Sequence, residues 1–201
     1  VAKEADQKDN IGGGWHTDHS YDVEPAMGSV LVARVLPETG GDTFFASMYR
    51  AYDTLDDATK AEIDGLSAVH SAKHIFGSQE QTYYNTTDAG GGRIGNAAAA
   101  DVLEDVVHPV VITHPLSGKK ALYVNPGFTV GIAGKSKEQG AELLERLFAH
   151  AMKKEHAYRF NWKPGSVAFW DNRSTWHWAL NDYHGQRRIM HRITLEGCAL
   201  H

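Results

Sequence analysis

The chain has 201 residues, 42% of them hydrophobic and 22% charged, and a formal net charge of -5. Its 20 basic and 25 acidic residues form no run of like charge, which argues against the basic surface that nucleic-acid binding requires. The apolar stretches are far shorter than the ~20 residues of a membrane span, and the single cysteine, Cys198, excludes an intramolecular disulfide. We therefore expect one globular domain, residues 1–201, in the cytoplasm, with neither nucleic acid nor a membrane as partner.

Five segments are typical of strands, because apolar and β-branched residues cluster in them between turn-forming residues. In chain order they are residues 28–36, 106–113, 121–124, 166–170 and 187–195. A stretch rich in glycine and alanine, residues 89–100, predicts a loop.

Two segments predict helices. Ser136 and Gln139 have the spacing of a capping box, and an apolar stripe from Leu143 to Met152 follows them. The second helical pattern, residues 49–63, is interrupted near residues 56 and 57. Because short strands dominate, we expect a mainly β fold, a β-sandwich or jelly roll, with the helices packed outside.

A His-x-Asp pair is the first candidate for chemistry. His16 and Asp18 are two residues apart, so on an extended chain both side chains project from the same face. The pair alone is a weak signal, since a simple hydrogen bond between the two side chains explains it equally well. A metal site needs a third ligand, and His177 is the candidate. Two histidines and one carboxylate form the facial triad of non-haem Fe(II) oxygenases.

Most other histidines predict structural roles. His70 and His74 have helical spacing but lack the glutamate of a His-Glu-x-x-His metal motif. His108 and His114 are each followed by proline and predict turns. Two further histidines lie near the end of the capped helix, where a cationic imidazole interacts favourably with the helix dipole.

The last predicted strand places Arg188 and Arg192 on one face, because side chains alternate along a strand. At ~3.3 Å per residue the two stand about 13 Å apart, too far to share one carboxylate. If the opposite face, with Ile189 and Ile193, packs under a helix, the arginines face the interior and need anions. The alternative is a solvated outer face.

In its motifs the chain resembles the TauD/TfdA-type Fe(II)- and 2-oxoglutarate-dependent dioxygenases, most closely the taurine dioxygenase group. The resemblance covers essentially the whole chain and implies a jelly-roll fold, also called a double-stranded β-helix. It runs through WHTD at 15–18, GGDT at 40–43, HPVV at 108–111, THP at 113–115, VNPGFT at 124–129, WDNR at 170–173 and RRIMHR at 187–192.

The resemblance implies a role for particular residues of this chain. His16, Asp18 and His177 correspond to the Fe(II) ligands, on which catalysis depends. Thr43 and Arg188 correspond to the residues that hold the remote carboxylate of 2-oxoglutarate. The implied reaction consumes dioxygen, hydroxylates a small anionic substrate (a sulfonate, a sulfate ester or a carboxylate) and releases succinate and CO2.

The substrate site is less complete. Arg192 corresponds to the residue that binds the substrate anion in the taurine enzyme, and Phe128 and Trp170 stand at positions near the site. Gly12 replaces an asparagine that lies near the substrate amine in that enzyme. Because the family's other substrate residues lie upstream of the His-x-Asp motif, we expect that this sequence lacks an N-terminal segment. Association into a homo-oligomer is left open.

Other functions compete with this interpretation. Residues 16–19 superficially resemble the metal motif of zinc-dependent hydrolases, but Gly14 stands where the first histidine belongs. Gly90, Gly92 and Gly95 form a lone dinucleotide-binding pattern without a preceding buried strand. The remaining alternative is a catalytically inactive jelly-roll binding protein.

Overall fold

The computed structural model describes residues 1–8, 12–76 and 104–200. The strands in these ranges are β1 (Ala2–Lys3), β2 (Gly28–Val35), β3 (Thr43–Ser47), β4 (Ser67–His70), β5 (Val106–Pro109), β6 (Val111–Thr113), β7 (Lys120–Leu122), β8 (Thr129–Ile132), β9 (Ala157–Phe160), β10 (Val167–Asp171), β11 (Thr175–Ala179) and β12 (Arg188–Leu195). The helices are α1 (Met48–Asp53), α2 (Asp57–Ile63), α3 (Lys73–Phe76) and α4 (Lys137–Ala151), with a short 3-10 helix at Lys154–His156. The predicted loop at 89–100 and the glycine pattern within it lie outside the described residues.

The sheets bring distant parts of the chain together. One sheet has the strand order β1-β12-β2-β10 and another has the order β11-β3-β9. Smaller sheets follow, with the orders β5-β4-β8 and β6-β7. All pairs are antiparallel and most neighbours are not consecutive in sequence, which is typical of a jelly roll. The expected fold class, mainly β with flanking helices, is confirmed.

The helices form where the capping residues predict them. The capping box of Ser136 and Gln139 is present at the start of α4, whose residues Leu143, Leu144 and Leu147 are buried in the core. The pattern at 49–63 divides into α1 and α2, because the Asp56 side chain accepts a hydrogen bond from the Thr59 N–H and begins a new helix. In the described residues, no helix is long and apolar enough to span a membrane.

Two predictions for the segment 106–113 are wrong. It is not one strand, because β5 and β6 belong to different sheets and Val110 between them donates its N–H to Leu66. His108 is not a turn residue. It lies buried within β5 and donates from Nε2 to the Asp22 carbonyl. The proline that follows is tolerated because β5 is an edge strand.

The burial of β12 shows in which direction the face with the two arginines points. Arg188 and Met190 are buried, so this face points inward. We expected this orientation only if a helix covered the opposite face. Ile193 on that opposite face is, however, 61% exposed. The alternative of a solvated outer face is therefore wrong for Arg188.

Candidate metal centre and anion site

The two histidines of the candidate triad are held opposite each other by the backbone. The His16 N–H donates to the His177 carbonyl at 3.1 Å, and the His177 N–H donates to the His16 carbonyl at 2.8 Å. β11, which carries His177, pairs with β3 so that His177 lies opposite Phe45. The early segment is thus fixed on a late strand, and the two imidazole centroids are 4.2 Å apart.

Asp18 completes the cluster. One carboxylate oxygen, Oδ1, lies 3.7 Å from His16 Nε2, and the other, Oδ2, lies 3.7 Å from His177 Nε2. One potential ligand atom from each of the three residues falls within 4.8 Å of the others. Within the described ranges, this is the one cluster of three or more such groups that could hold a metal ion. His70 lies buried in β4 against the His108 ring, and His74 Nε2 donates to the Gly127 carbonyl.

The protonation states suit metal binding. His16 Nδ1 donates to the Gly14 carbonyl at 2.8 Å, which leaves its Nε2 lone pair for a metal. Burial, and then the nearby His16, lower the pKa of His177 to about 3, so its ring is neutral. Burial alone raises the pKa of Asp18, but His177 and Arg192 outweigh that effect and bring it to about 2. The free Nε2 of His16, the neutral imidazole of His177 and the carboxylate of Asp18 are a donor set that fits Fe(II).

Neighbouring residues hold these ligands in place. The Thr17 hydroxyl, between the two ligands of the pair, donates to the Asn172 carbonyl. Ser29 Oγ donates to Asp18 Oδ2 at 3.3 Å. Gly127 leaves room for His16, because a Cβ at position 127 would lie 2.7 Å from the His16 Cβ. These contacts join segments far apart in sequence, and no local pattern predicted them.

Arg188 is a candidate for binding an anion. Its side chain is buried, and its Nε and Nη2 have no hydrogen-bond partner in the described part of the chain. Burial lowers the pKa of Arg188, because desolvation disfavours its charged form. Gly41 backs the side chain, since a Cβ there would lie 3.3 Å from the Arg188 Cδ and Nε. A buried guanidinium with unmatched N–H groups is stabilised by an anion, so the site fits a carboxylate.

Thr43 has a partner that the sequence analysis missed. Thr43 is buried at the start of β3 and its Oγ1 accepts a hydrogen bond from Trp162 Nε1 at 2.9 Å. The Trp162 ring also lies 5.9 Å from the Arg188 guanidinium carbon. Trp162 thus contacts both residues that were expected to bind 2-oxoglutarate. No pattern in its own segment pointed to this role.

The residues expected at the substrate site lie beside the triad. Arg192 Nη2 donates to Asp18 Oδ2 at 2.7 Å, a contact that the sequence did not predict. Phe128 is buried and packs edge-on against the His16 ring, with centroids 6.2 Å apart. Tyr21 packs on the other side of Phe128, at 4.7 Å. Trp170 is buried against His177, at 4.9 Å.

Several known proteins are similar to this chain. An alkylsulfatase of Acinetobacter baylyi is 37% identical over 192 residues, which are 95% of this chain and 59% of that protein. An alpha-ketoglutarate-dependent sulfate ester dioxygenase of Pseudomonas putida is 34% identical over 183 residues, 91% of this chain and 59% of that protein. A crystal structure of AAD-2 in complex with Mn(II) and N-oxalylglycine has a TM-score of 0.76 and 36% identity, and the match covers 92% of this chain and 64% of that one.

These relatives are longer than the chain, which spans about three fifths of their length. The family model described as "Taurine catabolism dioxygenase TauD, TfdA family" matches residues 1–194. That range includes the facial cluster of two histidines and one aspartate as well as the buried arginine of β12. The chain therefore belongs to the TauD/TfdA family of dioxygenases.

Proposed function

We propose that this protein is an Fe(II)- and 2-oxoglutarate-dependent dioxygenase that hydroxylates a small anionic organic substrate. The observation that carries the proposal is the convergence of His16, Asp18 and His177 on one point, in a fold that also buries Arg188 with unmatched N–H groups. A metal hydrolase needs the first cluster but has no need of the second. An inactive binding protein has no need of three ligands with these protonation states.

His16, Asp18 and His177 would hold Fe(II) and leave open positions beside it. When bound, iron and 2-oxoglutarate supply the oxidation: 2-oxoglutarate and dioxygen yield succinate and CO2, and one oxygen atom enters a substrate C–H bond. The chain's own part is to keep the His177 imidazole neutral and Asp18 ionised, in line with a pKa of about 3 for His177 and of about 2 for Asp18.

Arg188 and Thr43 would bind the remote carboxylate of 2-oxoglutarate. The unmatched Nε and Nη2 of Arg188 provide charged donors. Trp162 donates to Thr43 Oγ1, so the hydroxyl proton of Thr43 remains available for the same carboxylate. Trp162 therefore orients Thr43 as a donor.

Arg192 and Phe128 would face the primary substrate. Arg192 Nη2 contacts Asp18, whereas its Nε is buried with no hydrogen-bond partner in the described ranges, so it can bind an anionic group. The names of the relatives, which include a sulfate ester dioxygenase and a 2,4-dichlorophenoxyacetate dioxygenase, support a substrate with a sulfur oxyanion or a carboxylate. The missing side chain at Gly12 argues against an amine contact like that of the taurine enzyme.

We also propose a cytoplasmic location and a single catalytic domain over residues 1–201. The exposed, unpaired Cys198 supports a reducing compartment. Pairing of β1 with β12, near opposite ends of the chain, supports one domain. Whether copies of the chain associate is measured by light scattering of the purified protein.

The test is succinate release from 2-oxoglutarate, measured with Fe(II) and a panel of sulfonates, sulfate esters and carboxylates. We expect succinate that depends on Fe(II), dioxygen and one class of substrate. Asp18→Asn should abolish it, while Asp64→Asn, at an exposed position, should not. Ester hydrolysis with Zn²⁺ and no 2-oxoglutarate would establish the hydrolase instead. Substrate binding without any turnover would establish the inactive binding protein.

A further inference from the structure

A second cation lies beside the anion site of Arg188. β1 pairs with β12 in a register that places Lys3 opposite Arg188. Lys3 is 5% exposed, and lysine is almost never buried this deeply without a partner or a function. Because residues directly opposite on antiparallel strands share a face of the sheet, both cationic side chains project to the same side.

Tyr183 joins the two cations. Its ring centroid lies 4.6 Å from Lys3 Nζ and 6.0 Å from the Arg188 guanidinium carbon, so the two charges are within about 11 Å of each other. Lys3 Nζ also donates to Asn181 Oδ1, and this hydrogen bond holds the ammonium group of Lys3 beside Tyr183.

The nearby carboxylates accept hydrogen bonds from groups other than the Nε and Nη2 of Arg188, although the negative charge of Asp42 also acts on Arg188 and opposes the lowering of its pKa by burial. Asp42 accepts hydrogen bonds from Arg159 and Asn161, and Asp182 accepts from the Gly41 N–H. The unmatched Nε and Nη2 of Arg188 remain without a partner in the described residues. Two buried cations therefore lie on the same face of the sheet, and an anion bound at Arg188 would be stabilised by both.

We propose that Lys3 is a positioning residue of this subsite, one that strengthens the binding of the remote carboxylate of 2-oxoglutarate to Arg188. It adds a second positive charge and fixes Tyr183 against the arginine. The inference rests on the proposed function, because it takes the anion to be that of the cosubstrate. The charge of Lys3, not only its packing, is required.

The test measures the dissociation constant of N-oxalylglycine, a dicarboxylate analogue of 2-oxoglutarate, for the Mn(II)-loaded protein by calorimetry. Lys3→Met should weaken binding by up to about 15-fold, the upper limit for a charge about 10 Å from a carboxylate at an effective dielectric constant of about 20. Lys3→Arg should stay within about twofold of the unaltered protein, and Mn(II) affinity should not change in either variant. Lys8→Met, at an exposed position of the same segment, is the matched control.

Two results would overturn the inference. One is an unchanged constant for Lys3→Met, and the other is an equal loss in Lys3→Met and Lys3→Arg, which would indicate packing alone. If Lys3→Met does not fold, Lys3→Gln carries the test, since it keeps a hydrogen-bonding group for Asn181 without the charge. Failure of the unaltered Mn(II)-loaded protein to bind N-oxalylglycine would instead contradict the proposed function itself, and this inference with it.

Discussion

His16 and His177 each donate a backbone N–H to the carbonyl of the other, and this single bridge aligns their imidazoles. The bridge fixes the two backbone segments relative to each other, because they cannot separate without breaking these hydrogen bonds. Asp18 lies in the turn that follows this bridge, and its two carboxylate oxygens are each 3.7 Å from one of the Nε2 atoms.

Metal binding should stabilise the folded protein through this cluster. A ligand at about 100 times its dissociation constant contributes about 2.7 kcal/mol, which for a chain of this size raises the Tm by about 5–10 °C. We expect such a shift with Mn(II), measured by calorimetry under nitrogen. His177→Ala should reduce it to below about 2 °C, whereas His184→Ala, an exposed histidine, should keep it. A full shift in His177→Ala would remove this residue from the ligand set.

The two arginines of β12 should differ in what they affect. Arg188→Ala should raise the KM for 2-oxoglutarate by at least about tenfold, since a charge-assisted contact worth about 1.5–3 kcal/mol is lost. Arg192→Ala should raise the KM for the primary substrate more than that for 2-oxoglutarate. Steady-state kinetics with each substrate varied in turn measure both values, and a reversed pattern would exchange the two roles.

Gly127 should be essential for the position of His16. In Gly127→Ala the new methyl group would lie 2.7 Å from the His16 Cβ, so one of them must shift, at a cost of about 1–3 kcal/mol. We expect a Mn(II) dissociation constant at least about fivefold higher. Gly131→Ala is the matched control, because nothing lies within 4 Å of its added Cβ. Equal affinities in the two variants would show that the loop absorbs the clash.

His70 should make the fold sensitive to acid. Burial, and then the neighbouring His108, lower the pKa of His70 from 6.5 to about 3. Between these values the unfolded chain binds a proton that the folded chain does not, so the free energy of unfolding falls as pH drops below about 6.5. The slope from this group is at most about 1.4 kcal/mol per pH unit.

Urea unfolding at pH 7 and pH 5 measures this slope. The loss of stability on acidification should be smaller in His70→Gln than in the unaltered protein. His184→Gln, at an exposed position, should match the unaltered protein. An identical slope in all three proteins would mean that His70 does not titrate differently on folding.

Local patterns were enough to predict the capped helix α4 and the break between α1 and α2. They also predicted that the two arginines of β12 share a face, with the interior as one of two possible directions for it. Each depends on residues a few positions apart, where backbone geometry alone decides which side chains share a face. The three candidate metal ligands could also be chosen from the sequence, because two of them are only two residues apart and the chemistry of the third restricts its residue type.

Contacts between segments that are distant in sequence could be identified only from the tertiary structure. Strand pairing decided that Arg192 touches Asp18, that Trp162 donates to Thr43 and that His108 is buried within β5 rather than in a turn. Local periodicity carries no information about which strands become neighbours, and a residue's partners across a sheet depend on that order and register. The residues of the candidate metal cluster could therefore be identified from the sequence, whereas the contacts that orient them depend on tertiary packing.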